Sequence, residues 1–129
     1  MAVNRSLYRI AGTHLNVNTT EETALQLPQK NAGQGDLWLL TSFHYVRTGG
    51  TAASYIARMG QVAGWANSGI DERLTYASAL VAVATSDVFA APVPCKTDST
   101  GKLYFRPGFN AGLDNDGEYE FYFEFVRGG

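Results

Sequence analysis

Few residues of this chain could carry out catalysis, and they form no recognisable motif. The two histidines, His14 and His44, each stand without a second histidine or cysteine at metal-ligand spacing. Since His44 lies inside a predicted strand, we predict a structural role for it. The single cysteine, Cys95, follows a proline in an apolar stretch and is expected to be a small buried side chain. A Cys–His nucleophile pair between Cys95 and either histidine stays open as an alternative.

Carboxylates recur in the stretch NDGEYEFYFEFVRGG, residues 115 to 129. Glu120 and Glu124 share one face of a predicted strand and lie about 13 Å apart along it. Paired glycosidase carboxylates are separated by only about 5 to 9.5 Å. A solvated acidic face is therefore the favoured interpretation.

Two glycine-containing loops resemble ligand-binding motifs only superficially. DNDG at 114–117 suggests a calcium loop, but Phe123 would occupy the position that needs a bidentate glutamate. The glycines at 33 and 35 lack the third glycine of a dinucleotide-binding fingerprint. We therefore predict no metal ion, no cofactor and no enzymatic activity.

The size and charge of the chain narrow its class. Its 129 residues are predicted to form one domain, residues 1–129, around a single core. The net charge is −2 and the ten lysines and arginines are dispersed, which argues against nucleic acid as a partner. No apolar run approaches the roughly 18 residues of a membrane helix, and the first residues show no signal-peptide pattern. We expect a protein that is cytosolic when it is made and does not contact a membrane.

The most regular pattern lies near the end of the chain. Tyr119, Phe121, Phe123 and Phe125 fall on one parity and glutamates on the other, which predicts a strand with one buried face. Nine such residues span roughly 30 Å. An exposed aromatic edge would aggregate, so we expect a central position in a sheet or a subunit interface. These four aromatic residues are therefore the candidate interface, and the Asp-Gly pair at 116–117 is the predicted turn before them.

The remaining segments also favour strands. Residues 37–47 are almost continuously apolar, as in a strand that is buried on both faces. Residues 53–66 fit either a helix or a bent strand; their two internal glycines, at about 1 kcal/mol each in a helix, favour the strand. Residues 19–27 have the capping-box spacing of a turn of helix, and 96–102 have the composition of a hairpin tip. We predict an all-β fold, a single antiparallel β-sandwich of about six to eight strands, and specifically a jelly roll.

Aromatic residues could form a platform for sugars. Trp38 and Trp65, with Tyr45 and Tyr55, are the candidates for such a site. Residues of this kind are more often part of the core. A carbohydrate- or receptor-binding β-sandwich is therefore the alternative function.

The stretch TGKLYFRPGFNAGLDNDGEYEFYFEF, residues 100 to 125, resembles the closing strands of small jelly-roll proteins of tailed-bacteriophage virions. These include capsid decoration or cement proteins and head or tail accessory proteins. The resemblance implies a non-enzymatic structural protein of the virion that forms a trimer or another symmetric oligomer. Its partners would be further copies of itself and the major capsid protein. A small β-barrel enzyme is a third hypothesis, and it requires His14 or His44 to face a pocket beside an acid.

Overall fold

The computed structural model describes residues 7–17, 22–30, 33–50, 54–66, 72–78, 84–108 and 115–128. Eight strands account for most of these residues. They are β1 (Leu7–Val17), β2 (Thr23–Gln26), β3 (Asp36–Gly49), β4 (Ser54–Gly60), β5 (Glu72–Ser78), β6 (Ala84–Lys96), β7 (Lys102–Arg106) and β8 (Asn115–Gly128). The predicted all-β class is confirmed.

The strands pair in a nested order, as in one long hairpin that has been rolled up. β1 pairs with β8, β2 with β7, β3 with β6 and β4 with β5, and every pair is antiparallel. Two further pairings, β3 with β8 and β4 with β7, close the roll into two sheets. Their strand orders are β1-β8-β3-β6 (sheet A) and β2-β7-β4-β5 (sheet B). This is the arrangement of a jelly-roll sandwich, as the sequence predicts.

Aromatic rings from both sheets meet in the core. Phe105 of sheet B contacts Phe43, Tyr45 and Phe121 of sheet A, with ring centroids 6.0, 5.8 and 4.9 Å apart. The inward positions of β3 alternate from Asp36 to Leu40, and a register irregularity after Leu40 resets the alternation before Phe43. The large rings therefore fill the space between the sheets.

A buried arginine fastens sheet B to its connecting segments. The Arg106 guanidinium is fully enclosed and binds the Glu22 carboxylate with an Nη2–Oε2 distance of 2.6 Å. It also donates to the carbonyl oxygens of Val62 and Gly64 at 2.7 and 2.9 Å. Glu22 accepts a further bond from the Gly64 amide at 2.9 Å. Breaking such a buried pair leaves an uncompensated charge, which makes the network structurally important.

Four local predictions are corrected or refined. The predicted turn of helix over 19–27 is wrong where the structure describes it, because Thr23–Gln26 instead form strand β2 on the edge of β7. The segment 96–102 is a corner and not a hairpin tip, since β6 and β7 belong to different sheets. The Asp-Gly pair at 116–117 lies inside β8. In the ambiguous segment 53–66, Ser54–Gly60 form a strand and 61–66 lie outside it.

Candidate functional site

The aromatic face of β8 divides into a buried part and an exposed end. β8 lies between β1 and β3, so the expected central position is confirmed. Phe121 and Phe123 are 0% exposed and belong to the core, and Tyr119 packs against that core while only partly buried. The interface prediction is corrected for Phe121 and Phe123, because their own chain encloses them. Phe125 is the residue of this face that is exposed.

Phe125 belongs to an exposed apolar patch where β1 begins and β8 ends. Leu7, Tyr8, Phe125 and Val126 are 50, 38, 37 and 44% exposed. β1 and β8 are paired here, with Leu7 opposite Glu124 and Tyr8 opposite Phe123. We call these four residues the apolar patch; Leu7, Tyr8 and Phe125 line one recess, and Val126 follows Phe125 in the chain. Clustered large apolar side chains on a surface mark interaction sites more often than single exposed ones do.

A small aromatic recess opens within the apolar patch. It has a volume of about 180 Å³ and is lined by Leu7, Tyr8, Pro28, Lys30, Trp38 and Phe125. The Trp38 ring lies 6.2 Å from that of Tyr8 and 5.2 Å from that of Phe125, in the second case edge to face. Trp38 itself is only 2% exposed, so it forms a wall of the recess and not an open platform.

The structure does not support the predicted sugar platform as a unit. Trp38 and Tyr45 are buried inward-facing residues of β3. Trp65 is half-buried in the segment after β4, outside the residues that line the recess. The side chain of Tyr55 lies outside the described residues. The expectation that Trp38 is an exposed sugar-stacking surface is wrong, because its ring completes the core next to Phe125.

A polar groove lies along β1, β8 and β3 of sheet A. Its volume is about 340 Å³, and its lining residues are Arg9, Ala11, Gly12, Thr13, His44, Glu118, Tyr119 and Glu120. Arg9 and Glu120 form an ion pair of 2.7 Å across β1 and β8. Their hydrogen bond lowers the pKa of Glu120 and raises that of Arg9. His44 stands directly opposite Glu120 in the β3–β8 register and also lowers the pKa of that carboxyl.

This groove brings His44 beside two acids, Glu118 and Glu120. That is the arrangement which the enzyme hypothesis requires, so the absence of catalysis stays a prediction. His44 and the glutamates come together because β3 and β8 are neighbours, which sequence spacing alone does not reveal.

His14 occupies a different, enclosed environment. Its Nε2 atom and the Tyr45 hydroxyl share a hydrogen bond of 2.5 Å, and the Tyr119 ring lies edge-on at 6.1 Å. Burial lowers the pKa of His14 from 6.5 to about 4, and the Asp116 carboxylate opposes this only partly. A side chain at Gly117 would meet His14 Nε2 at 2.6 Å and also the Tyr45 hydroxyl. His14 is therefore a buried packing residue that lies beneath Gly117, whereas the structural role was predicted for His44, which lines the polar groove.

The predicted nucleophile and metal sites are also placed. Cys95 is buried and its thiol contacts the Val93 carbonyl oxygen at 3.5 Å, while both histidines lie in the separate surroundings described above. In the described ranges, no three or more His, Cys, Asp or Glu side chains form a group that could hold a metal ion. Within the same ranges, no helix has the length and apolar character to cross a membrane.

The sequence interpretation missed Leu7, Tyr8, Arg9 and Lys30 as parts of these surfaces. The exposure of Leu7 and Tyr8 at the edge of sheet A depends on strand order and not on their own pattern. Comparison with known proteins gives no match: no family model matches the sequence, and no curated protein is significantly similar to it.

Proposed function

We propose that this chain is a non-enzymatic structural protein of a tailed-bacteriophage virion, of the capsid decoration or cement type. It forms a homo-oligomer, with a trimer favoured, and binds the major capsid protein to stabilise the particle. Jelly rolls build many viral capsid proteins as well as lectins, so the fold is compatible with this role and does not specify it. The observation that carries the proposal is the apolar patch.

The apolar patch supports docking on energetic grounds. Fully burying an exposed Leu or Phe side chain contributes about 1.5–3 kcal/mol, and the four patch residues are each still 37 to 50% exposed. Protein interfaces combine such an apolar centre with a polar rim. A polar rim at this end of sheet A is supplied by three exposed cations, Lys30, Lys96 and Arg127. Lys96 and Arg127 are close to each other because both pair with Leu37 of β3, one from each neighbouring strand.

The apolar patch is assigned to the capsid contact. The affinity of one patch for the capsid can be modest, because a symmetric oligomer presents the same patch several times and the combined binding to the lattice is stronger. The protein is expected to carry out this role in the virion, after synthesis in the host cytoplasm.

The test combines particle binding with oligomer mass. Wild-type protein is added to capsids that lack it, and bound protein is measured after sedimentation. We expect Phe125→Asp to reduce binding at least about tenfold, since a buried charge in an apolar contact costs more than the 1.4 kcal/mol that a tenfold change represents. Val62→Asp is the matched control, because Val62 is 47% exposed but lies in the segment after β4 and outside the patch.

Multi-angle light scattering during size exclusion measures the oligomer. A discrete trimer or larger ring is expected for wild type and for both variants. A monomeric protein that does not sediment with capsids would contradict the proposed function.

A second candidate function is a carbohydrate- or receptor-binding module. The polar groove favours it, since it places the half-buried Tyr119 beside Glu118, Glu120 and Arg9. Sugar sites combine an aromatic face with a few charged or polar groups. Binding on a glycan array that Glu118→Ala abolishes, with particle binding unchanged, would favour this function over the first.

A further inference from the structure

The aromatic recess has the dimensions of a site for one side chain. Its volume of about 180 Å³ is below the roughly 300–1,000 Å³ of pockets that hold drug-sized ligands. The rings of Tyr8, Trp38 and Phe125 form three of its walls, and Leu7 and Pro28 complete the apolar lining. Aromatic rings pack favourably at centroid distances of 4.5–7 Å, the range found between the rings already present. A further ring is therefore the best-matched occupant.

Among the described residues, the charged side chain that lines the recess is that of Lys30, which is exposed. The buried Asp36 carboxylate accepts a bond from the Lys30 backbone amide at 2.7 Å, so it fixes the position of the chain and does not line the recess. Glu124 lies opposite Leu7 in β8 but also does not line it. An occupant with a carboxylate next to its aromatic ring matches this charge.

Trp38 supplies a second, independent observation. Its indole Nε1 is buried and has no hydrogen-bond partner among the described residues. Leaving a buried donor unsatisfied costs about 1–3 kcal/mol. Because Trp38 forms a wall of the recess, this unsatisfied donor belongs to a residue that an occupant would contact.

The occupant does not come from the described surface of a second copy. The large apolar side chains exposed there are the four of the apolar patch and Val62. The two aromatic ones, Tyr8 and Phe125, already form the walls of the recess. Among the side chains that the structure describes, a second copy thus offers no other exposed aromatic residue, and we assign the anchor to a different protein.

We propose that the recess binds an aromatic side chain of another virion protein, whose adjacent carboxylate pairs with Lys30. This inference rests on the proposed function, since it names the chemistry by which the apolar patch docks on its partner. The partner segment is acidic and aromatic, with its ring inserted between Tyr8 and Phe125.

A titration with defined probes tests the proposal. N-acetyl-phenylalanine carries the ring and the carboxylate, N-acetyl-phenylalanine amide carries the ring alone, and N-acetyl-aspartate carries carboxylates without the ring. Binding is followed by the indole N–H signals of the two tryptophans in a two-dimensional NMR spectrum. We expect N-acetyl-phenylalanine to shift the Trp38 signal and to leave the Trp65 signal in place.

Two lysine variants test how much the carboxylate of the probe contributes to its binding. Exposed ion pairs contribute about 0.2–1 kcal/mol, so the amide probe should bind up to about fivefold more weakly than the acid. Lys30→Gln should remove this difference, whereas Lys96→Gln, which changes an exposed lysine outside the recess, should preserve it. Neither substitution alters the core, so the variants are expected to remain folded.

Several results would overturn the proposal. These are no Trp38 shift at millimolar probe, equal binding of acid and amide, or equal binding of N-acetyl-aspartate. A probe that lowers the oligomer mass would show that a second copy fills the recess, which also contradicts the assignment to another protein. Capsid binding without probe binding would refute only this inference. Probe binding by a monomer that ignores capsids would refute only the proposed function.

Discussion

The buried imidazole of His14 should make the stability of this protein depend on pH. The pKa of His14 is about 4 in the folded protein, whereas the ordinary value of 6.5 applies to the unfolded chain. The unfolded chain therefore binds the proton more tightly than the folded protein does. Stability from this group is therefore complete above pH 6.5 and is lost as the pH falls from 6.5 to about 4. At 1.36 kcal/mol per pH unit, the full loss is about 3 kcal/mol, of which about 2 kcal/mol has gone by pH 5.

The assay is urea denaturation of wild type and His14→Gln at pH 7, 6 and 5. The variant loses the ring contacts with Tyr45 and Tyr119, so it should be less stable at pH 7. The gap in free energy of unfolding should then narrow by about 2 kcal/mol at pH 5, because the variant has no imidazole to protonate. Parallel pH profiles for wild type and His14→Gln would refute the reasoning.

Three further predictions test the fold that presents the candidate surfaces, each through the free energy of unfolding in urea. Glu22→Gln should cost about 3 kcal/mol, because it leaves the Arg106 guanidinium buried without its carboxylate; a cost below about 1 kcal/mol would contradict this. Asp98→Asn should cost about 1 kcal/mol at pH 7 and progressively less below pH 4. Desolvation of this partly exposed carboxyl raises its pKa, but four donors outweigh that effect and lower the pKa to about 2, while solvent screens the interaction. Gly108→Ala should cost at least about 2 kcal/mol, because φ at Gly108 is +63° and an added Cβ would lie 2.5 Å from a β4 carbonyl oxygen. Gly33→Ala is the control: φ there is +83°, but the space around the added Cβ is open, so the cost should be only about 1 kcal/mol. Equal costs for the two substitutions would contradict a steric contact at Gly108.

The role of the apolar patch is separable from these stability effects. Phe125 is exposed, so its replacement should change binding far more than unfolding. Phe123 is two residues earlier on the same face and fully buried, and its replacement by alanine should cost about 3–5 kcal/mol of stability.

Much of the fold follows from local patterns in the sequence. The alternation of aromatic and acidic residues over 118–125 is a property of the backbone, because successive side chains of a strand point to opposite faces. That pattern, with turn-forming residues between apolar runs, predicted the all-β sandwich correctly and gave a central position as one of two placements for β8, the other being a subunit interface. It also identified Phe121 and Phe123 as members of a buried face.

Tertiary structure decided which surfaces are left for function. Trp38 and Phe125 look alike as exposed-aromatic candidates in the sequence, yet Trp38 is enclosed because β8 lies beside β3 and β1 beside β8. Glu22 fits a helix cap by spacing, but the buried charge of Arg106, 84 residues away in sequence, recruits it instead. Burial depends on neighbours that are distant in the chain. A two-residue alternation of apolar and polar side chains therefore predicts that one face of a strand is buried, but it does not show which residues at the ends of the strand stay exposed to solvent.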